Sequence, residues 1–147
     1  MSQDLVVGVA AELVLGLIGL EDLQHAANRA LHAGLASPAI VALADSDESN
    51  ARLLFDRVLT ELEVALPSTR DAIGHLALET AVEIVEGKIA PYTGAKRIWQ
   101  LTLCAPSERL PNLDPFIYAA SEWEDRPEDR VRFERGIMDE ARALLSA

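Results

Sequence analysis

Apolar and polar positions recur along this chain with the spacing of helices. Between residues 70 and 86, apolar side chains stand three and four residues apart, whereas His75, Glu79 and Glu83 fall on the opposite side. Residues with this spacing share one face of an α-helix, so the pattern predicts an amphipathic helix. Phe133 and Ile137 repeat it near the end of the chain. Because no convincing two-residue alternation typical of strands is present, the pattern predicts an all-α fold.

Capping residues, prolines and glycines divide the chain into about seven predicted helices. These signals place helices at about residues 21–34, 38–44, 48–65, 68–86 and 91–104, with Asp114 as the cap of another and Pro127 opening the last. Gly136 inside the last helix either permits a close helix contact or marks an exposed loose position. Short loops between helices predict a compact bundle or a short stack of helical hairpins.

The most apolar run covers residues 5–20 and predicts a buried helix that ends near Gly19. Glu12 interrupts the run, which is also shorter than the roughly 20 apolar residues needed to span a bilayer. No basic residue precedes it, which argues against a signal peptide. We therefore expect a cytoplasmic protein that does not associate with membranes.

Length and composition predict one domain with an aliphatic core. The chain has 147 residues, half of them apolar but only 5% aromatic. This length is typical of a single domain, here residues 1–147, whose interior must be built mainly from Ala, Leu, Ile and Val. The lone cysteine, Cys104, allows no disulfide within the chain.

The net charge limits the classes of partner. The chain has 24 acidic and 13 basic side chains, for a formal charge of −11 at pH 7. Such a surface repels phosphate, so we expect no direct binding of nucleic acid. It favours solubility, and it can also steer a basic protein toward the molecule.

Metal or catalytic chemistry has one main candidate, the side of a helix that carries His75, Glu79 and Glu83. Two carboxylates four residues apart can share a metal, but the Glu-x-x-His spacing of helical di-metal sites is absent. His25 and His32 are about 10 Å apart along a helix axis, too far for one metal's first shell. No phosphate-binding glycine loop, HExxH, GxSxG or EF-hand spacing occurs. The sequence predicts no cofactor.

The densest carboxylate cluster surrounds a tryptophan within residues 113–130. This acidic corner comprises Glu122, Trp123, Glu124, Asp125, Glu128 and Asp129. In one interpretation Trp123 packs inward and the charges form local pairs and favour the start of the last helix. In the other, the carboxylates rim an aromatic anchor for a basic partner. A tryptophan that fixes the corner presenting the acids would satisfy both.

Two segments resemble patterns found in small helical proteins of bacterial genomes. These segments are AxxIVEGKIAPYTGAKRIWQL, residues 81–101, and LDPFIYAASEWEDRPEDR, residues 113–130. Many such proteins have no assigned activity, and the resemblance implies no catalytic residue. At the level of class, a small acidic helical domain is also similar to some bacterial immunity proteins.

These observations favour a non-enzymatic module that binds a basic protein through the acidic corner, for example as an immunity or antitoxin-like inhibitor. One alternative is a small helical enzyme or metal-binding protein that uses His75, Glu79 and Glu83. Another is an assembly subunit whose alanine-rich helix faces form an oligomer. The sequence leaves the oligomeric state open.

Overall fold

The structure, a computed structural model, describes residues 2–147, with side chains from residue 3 onward. Every regular element among these residues is helical and none is a strand, so the all-α prediction is confirmed. The described chain has eight α-helices, close to the predicted seven. In chain order they are α1 (Ser2–Val14), α2 (Leu23–His32), α3 (Pro38–Ala44), α4 (Glu48–Glu61), α5 (Thr69–Val85), α6 (Pro91–Leu103), α7 (Asp114–Asp125) and α8 (Arg130–Ser146).

The chain forms two compact units that divide between Ala72 and Ile73. Helices α1 to α4 belong to the first unit and α6 to α8 to the second, and the division falls within α5. The prediction of one domain over residues 1–147 stays a prediction.

Aliphatic side chains fill the core of the first unit. Helix α2 packs against α3, and α3 packs against α4. Leu23, Ile40 and Val58 are fully buried there, together with three alanines on one face of α2. Each large side chain contributes about 1.5–3 kcal/mol by leaving water. A hollow lined by side chains of this core has a volume of about 20 Å³, which leaves room for no more than about one water molecule.

The second unit places α7 against both α6 and α8, and α6 also contacts α8. Its fully buried large side chains include Ile98, Leu113, Phe116 and Ile137, one or two from each helix or the turn before it. Phe133 and Ile137 are both buried in α8, on the stripe predicted for the last helix. The core therefore holds these three helices together with apolar contacts from every member.

Helix α1 ends at Val14, so the prediction that it runs to about Gly19 is wrong. Gly16 adopts the left-handed conformation, with φ of 71°. The N–H of Gly16 donates to the carbonyl of Leu13 (3.1 Å) and the N–H of Leu17 to that of Glu12 (2.9 Å). These two bonds are the Schellman termination, which satisfies the last carbonyls of the helix.

Helix α4 also ends early, at Glu61, although the sequence predicts an end near Ala65. Glu63 has a φ of 55°, and the N–H of Val64 donates to the carbonyl of Leu59 (2.9 Å). This is the same termination with an acidic residue where glycine is usual. Leu62, half-buried, and Ala65, exposed, therefore lie beyond the helix.

The starts of the last two helices differ from the prediction. A 3-10 turn, Pro111–Leu113, leads directly into α7, so Asp114 is its first residue and not its cap. Pro127 opens a second turn, Pro127–Asp129, and α8 begins only at Arg130. In both places the proline starts a tight turn that precedes the helix.

Neither a membrane-spanning helix nor an unsatisfied buried polar side chain occurs among the described residues. None of their helices is long and apolar enough to cross a bilayer. The buried hydroxyl of Thr80 donates to the carbonyl of Leu76 at 2.8 Å, one turn earlier. Buried polar groups in stable folds are satisfied in this way.

Candidate functional site: the acidic corner

The acidic corner lies in the second unit, where α7 ends and the chain turns into α8. Trp123 occupies the last turn of α7, and Arg130, seven residues later, is the first residue of α8. The Nε of Arg130 donates to the carbonyl oxygen of Trp123 at 3.1 Å. That carbonyl is one of those that the end of a helix leaves without an intrahelical partner. The bond ties the start of α8 to the end of α7.

The Trp123 side chain is held from three directions. The Tyr92 ring of α6 stacks on the indole, with ring centroids 3.9 Å apart and planes 13° apart. The Arg130 guanidinium carbon lies 3.8 Å from the ring centroid. The indole Nε1 donates to Glu134 of α8 at 3.0 Å. We name these four residues the Trp123 clamp, and they connect α6, α7 and α8.

Glu124 is bound to α6 by two donors on one oxygen. The Tyr92 hydroxyl donates to its Oε2 at 2.6 Å and the Lys96 Nζ at 2.8 Å. The bond from Lys96, followed by that from Tyr92, lowers the pKa of Glu124. The bonds to Glu124 raise the pKa of Lys96 and of the Tyr92 hydroxyl. All three groups are therefore held in the protonation states that make these bonds.

The remaining carboxylates of the corner differ in their availability. Glu122 pairs with Arg126 one turn later, at 2.8 Å. Asp125 and Glu128 are exposed and Asp129 is half-exposed, and none of the three pairs with any residue that the structure describes. The corner therefore presents three free carboxylates, whereas Glu122 and Glu124 are neutralised internally.

The alternative metal residues on α5 do not meet at one point. His75 Nε2 lies 2.9 Å from Glu79 Oε1, and the imidazole is about three-quarters buried. Glu83 pairs instead with Arg97 of α6 at 3.1 Å. Among the residues described, no group of three or more His, Cys, Asp or Glu side chains could hold a metal ion. The geometry therefore offers no support for a site built from His75, Glu79 and Glu83.

The two other histidines lie in the first unit, as do Asp47 and Glu61, whose carboxylates accept backbone hydrogen bonds. His25 and His32 are both exposed on α2. Asp47 caps α4, accepting from the N–H of Asn50 at 3.3 Å, and its bond from Ser49 is the main cause of a lowered pKa. Glu61 accepts the Ala39 N–H near the start of α3 at 3.1 Å. Asp47 and Glu61 thus satisfy helix starts.

A groove in the second unit was not predicted from the sequence. It has a volume of about 580 Å³ and lies between the C-terminal end of α6 and the N-terminal half of α7. The loop between these helices closes one side with Pro106, Leu110 and Pro111. The two prolines mark a rigid loop in the sequence, but the spacing of residues along the chain does not predict a groove. Cys104, next to it, is exposed.

Comparison with known proteins adds no relative. No family model, no curated protein and no solved structure matches this chain. The resemblance of residues 81–101 and 113–130 to small bacterial helical proteins stays a prediction.

Proposed function

We propose that this chain is a non-enzymatic binding protein whose acidic corner engages a basic protein partner. In this proposal it acts in the cytoplasm of a bacterium as an immunity or antitoxin-like inhibitor. The net charge of −11 supports a basic partner, because opposite charge accelerates encounter and selects against acidic competitors.

One observation carries the proposal: the Trp123 clamp fixes a turn that bears three free carboxylates. Asp125, Glu128 and Asp129 lie within seven residues of Trp123, whose ring is held by Tyr92 and Arg130. A surface that is already ordered loses less conformational entropy on binding than a flexible one. The corner can therefore present its charges to a partner at little additional cost.

In this proposal Trp123 does not act as an aromatic anchor that inserts into the partner. The indole of Trp123 has a ring on one side, a guanidinium on the other and a satisfied N–H. We therefore assign Trp123 and Glu124 to positioning, and Asp125, Glu128 and Asp129 to contact with the partner. Exposed charges of this kind act mainly on the association rate and its salt dependence.

The test is capture of a partner from the native host by immobilised wild type and by a corner variant. The variant carries Asp125→Asn, Glu128→Gln and Asp129→Asn, which removes the free carboxylates and leaves the clamp intact. A matched control carries Asp45→Asn, Glu48→Gln and Glu63→Gln, three exposed acids of the first unit. At low salt, the wild type and the control variant should retain the same basic protein, and the corner variant should lose it.

Two results would contradict the proposal. Equal loss of the captured protein by both variants would show that total charge, and not the corner, retains it. Capture of no basic protein at low salt would remove the partner altogether. Both variants lose three negative charges. A difference between them in the amount of captured partner therefore reflects the position of the charges and not the net charge.

A further inference from the structure

The groove between α6 and α7 combines an apolar wall with one uncompensated carboxylate. Trp99 and Leu103 of α6, Leu110 of the loop and Ile117 of α7 supply apolar lining. Leu103 is 62% exposed, so most of its side chain is open to a ligand in the groove. A volume of about 580 Å³ lies within the range of sites that bind small groups.

The charges of the groove favour a cation. Glu108 and Arg109, adjacent in the loop, contribute one charge of each sign, and Asp114 adds a further negative charge. Asp114 is exposed and forms no ion pair with any residue of the described chain. Trp99, Thr102 and Leu103 belong to the last two turns of α6, where the helix dipole is negative. The N-terminus of α7 has the opposite, positive end of a helix dipole, but Asp114 places a negative charge in that same turn.

An arginine side chain matches this combination of surfaces. Its aliphatic stem can lie along Leu103 and Ile117 while its charged end reaches a carboxylate, as long cationic side chains do on protein surfaces. The planar guanidinium binds carboxylates in a two-point geometry and is less strongly hydrated than an ammonium group. It can also lie against an indole. The Lys96 ammonium already lies over the Trp99 ring, with Nζ 4.2 Å from the centroid, so a guanidinium would use the opposite face of that ring.

We propose that this groove binds an arginine side chain of the basic protein partner, with Asp114 as the carboxylate that receives the guanidinium. The source of the arginine rests on the proposed function, whereas the binding of a guanidinium does not. The groove is thus a second contact, separate from the acidic corner.

The test is an NMR titration of the ¹⁵N-labelled chain with N-acetyl-arginine amide, whose blocked ends imitate a residue within a protein. We expect millimolar binding, as is usual for one side chain, with shifts at Leu103, Asp114, Ile117 and the indole N–H of Trp99. The indole of Trp123 should not shift, because its N–H is bonded to Glu134. Asp114→Asn should weaken binding about 3- to 5-fold, as expected for a partly exposed ion pair.

Matched controls separate a site from general attraction to an acidic protein. Asp45→Asn removes the same charge from an exposed position of the first unit and should leave the affinity unchanged. N-acetyl-citrulline amide, a neutral relative of the probe, should bind at least as weakly as the probe binds Asp114→Asn. Equal weakening by Asp114→Asn and Asp45→Asn, equal binding of the citrulline probe, or no shift at Trp99 would overturn the inference.

Two further measurements identify the source of the arginine and separate this inference from the proposed function. Free L-arginine has the same net charge as the blocked probe but adds an α-ammonium and an α-carboxylate that a residue within a protein lacks, so it should bind no more tightly than the probe. Tighter binding of the free amino acid would overturn a protein as the source. If a partner is captured through the corner but binds Asp114→Asn as it binds wild type, the groove inference fails alone. If the probe binds and no partner is captured, the proposed function fails and the guanidinium site stands.

Discussion

Trp123 illustrates how a single side chain joins three helices without being deeply buried. Its ring is half-exposed, yet it stacks on Tyr92 of α6, lies against Arg130 of α8 and donates to Glu134 of α8. Aromatic stacking and cation–π contact each contribute about 0.5–1.5 kcal/mol beyond the apolar area that they bury. The stability of the corner therefore depends on the faces and the N–H of this ring.

Replacing Trp123 by alanine should destabilise the protein by about 2–3 kcal/mol, below the usual range for a fully buried tryptophan. The loss has two parts, the contacts of both ring faces and the bond to Glu134. Urea denaturation at neutral pH measures it. Tyr118→Ala is the control, because Tyr118 is on the same helix but 62% exposed, and it should cost less than about 1 kcal/mol. Similar losses for the two variants would contradict the clamp.

Glu124 gives the corner a pH dependence with a definite sign. Its pKa is lowered from the ordinary value of 4.5, so its stabilising effect is complete above that value and is lost as the pH falls through the lowered pKa. The pKa values of Lys96 and Tyr92 are raised from 10.5 and 10.0. The stability that these two groups contribute is therefore complete below those values and is lost at higher pH.

The difference in unfolding free energy between wild type and Glu124→Gln should therefore be largest between about pH 5 and pH 9.5 and shrink on both sides. Denaturation curves across this range measure it. Glu128→Gln, which removes a carboxylate without a partner in the described chain, is the matched control and should cost less stability than Glu124→Gln at neutral pH. A wild-type advantage over Glu124→Gln that stays constant from neutral to acid pH would contradict the prediction, because the advantage would then not depend on the ionised form of Glu124.

At the scale of elements, two glycines within helices have opposite surroundings. A Cβ added at Gly94 of α6 would lie 2.5 Å from Cδ1 of Ile84, a fully buried side chain of α5, and 3.0 Å from Cδ1 of Ile89. A Cβ added at Gly136 of α8 would meet nothing within 4 Å. Gly94 thus permits a close approach of α6 to Ile84, whereas Gly136, which is half-buried, has open space beside it and permits no close helix contact.

The same substitution should consequently have opposite effects at these two positions. Gly94→Ala should destabilise by about 1–3 kcal/mol, because a buried isoleucine must move to admit the methyl group. Gly136→Ala should stabilise by about 0.4–1 kcal/mol, because alanine is the better helix former and loses less entropy on folding. Thermal and urea unfolding of both variants measure the signs, and a shared sign would contradict the packing at Ile84.

The helices also show how much of the fold can be predicted from the sequence. Helical spacing and proline positions predict nearly every helix, because local sterics and amphipathic burial determine them. The end of α4 was missed because Glu63 takes a conformation that sequence associates with glycine. The clamp was missed because Tyr92 and Trp123 are 31 residues apart, and only the packing of α6 on α7 brings their rings together. The groove was missed for the same reason.

For the whole molecule, the acidic excess is unequally divided. Residues 1–72 contain 11 acidic and 4 basic side chains, a net of −7, whereas residues 73–147 contain 13 and 9, a net of −4. The second unit uses many of its cations in ion pairs, at Lys96, Arg97 and Arg126. The first unit has fewer cations available, so repulsion among its carboxylates is less compensated.

Salt should therefore stabilise this protein at neutral pH. Raising NaCl from about 0.02 M to 0.3 M shortens the Debye length from roughly 20 Å to below 8 Å, which screens repulsion among surface carboxylates. The exposed ion pairs lose little, because each contributes at most about 1 kcal/mol without salt. We expect the unfolding free energy to rise by an amount on the order of 1 kcal/mol. Near pH 4.6, the isoelectric point, the net charge vanishes and the salt effect should disappear. A fall in stability with salt at neutral pH would mean that the ion pairs outweigh the repulsion.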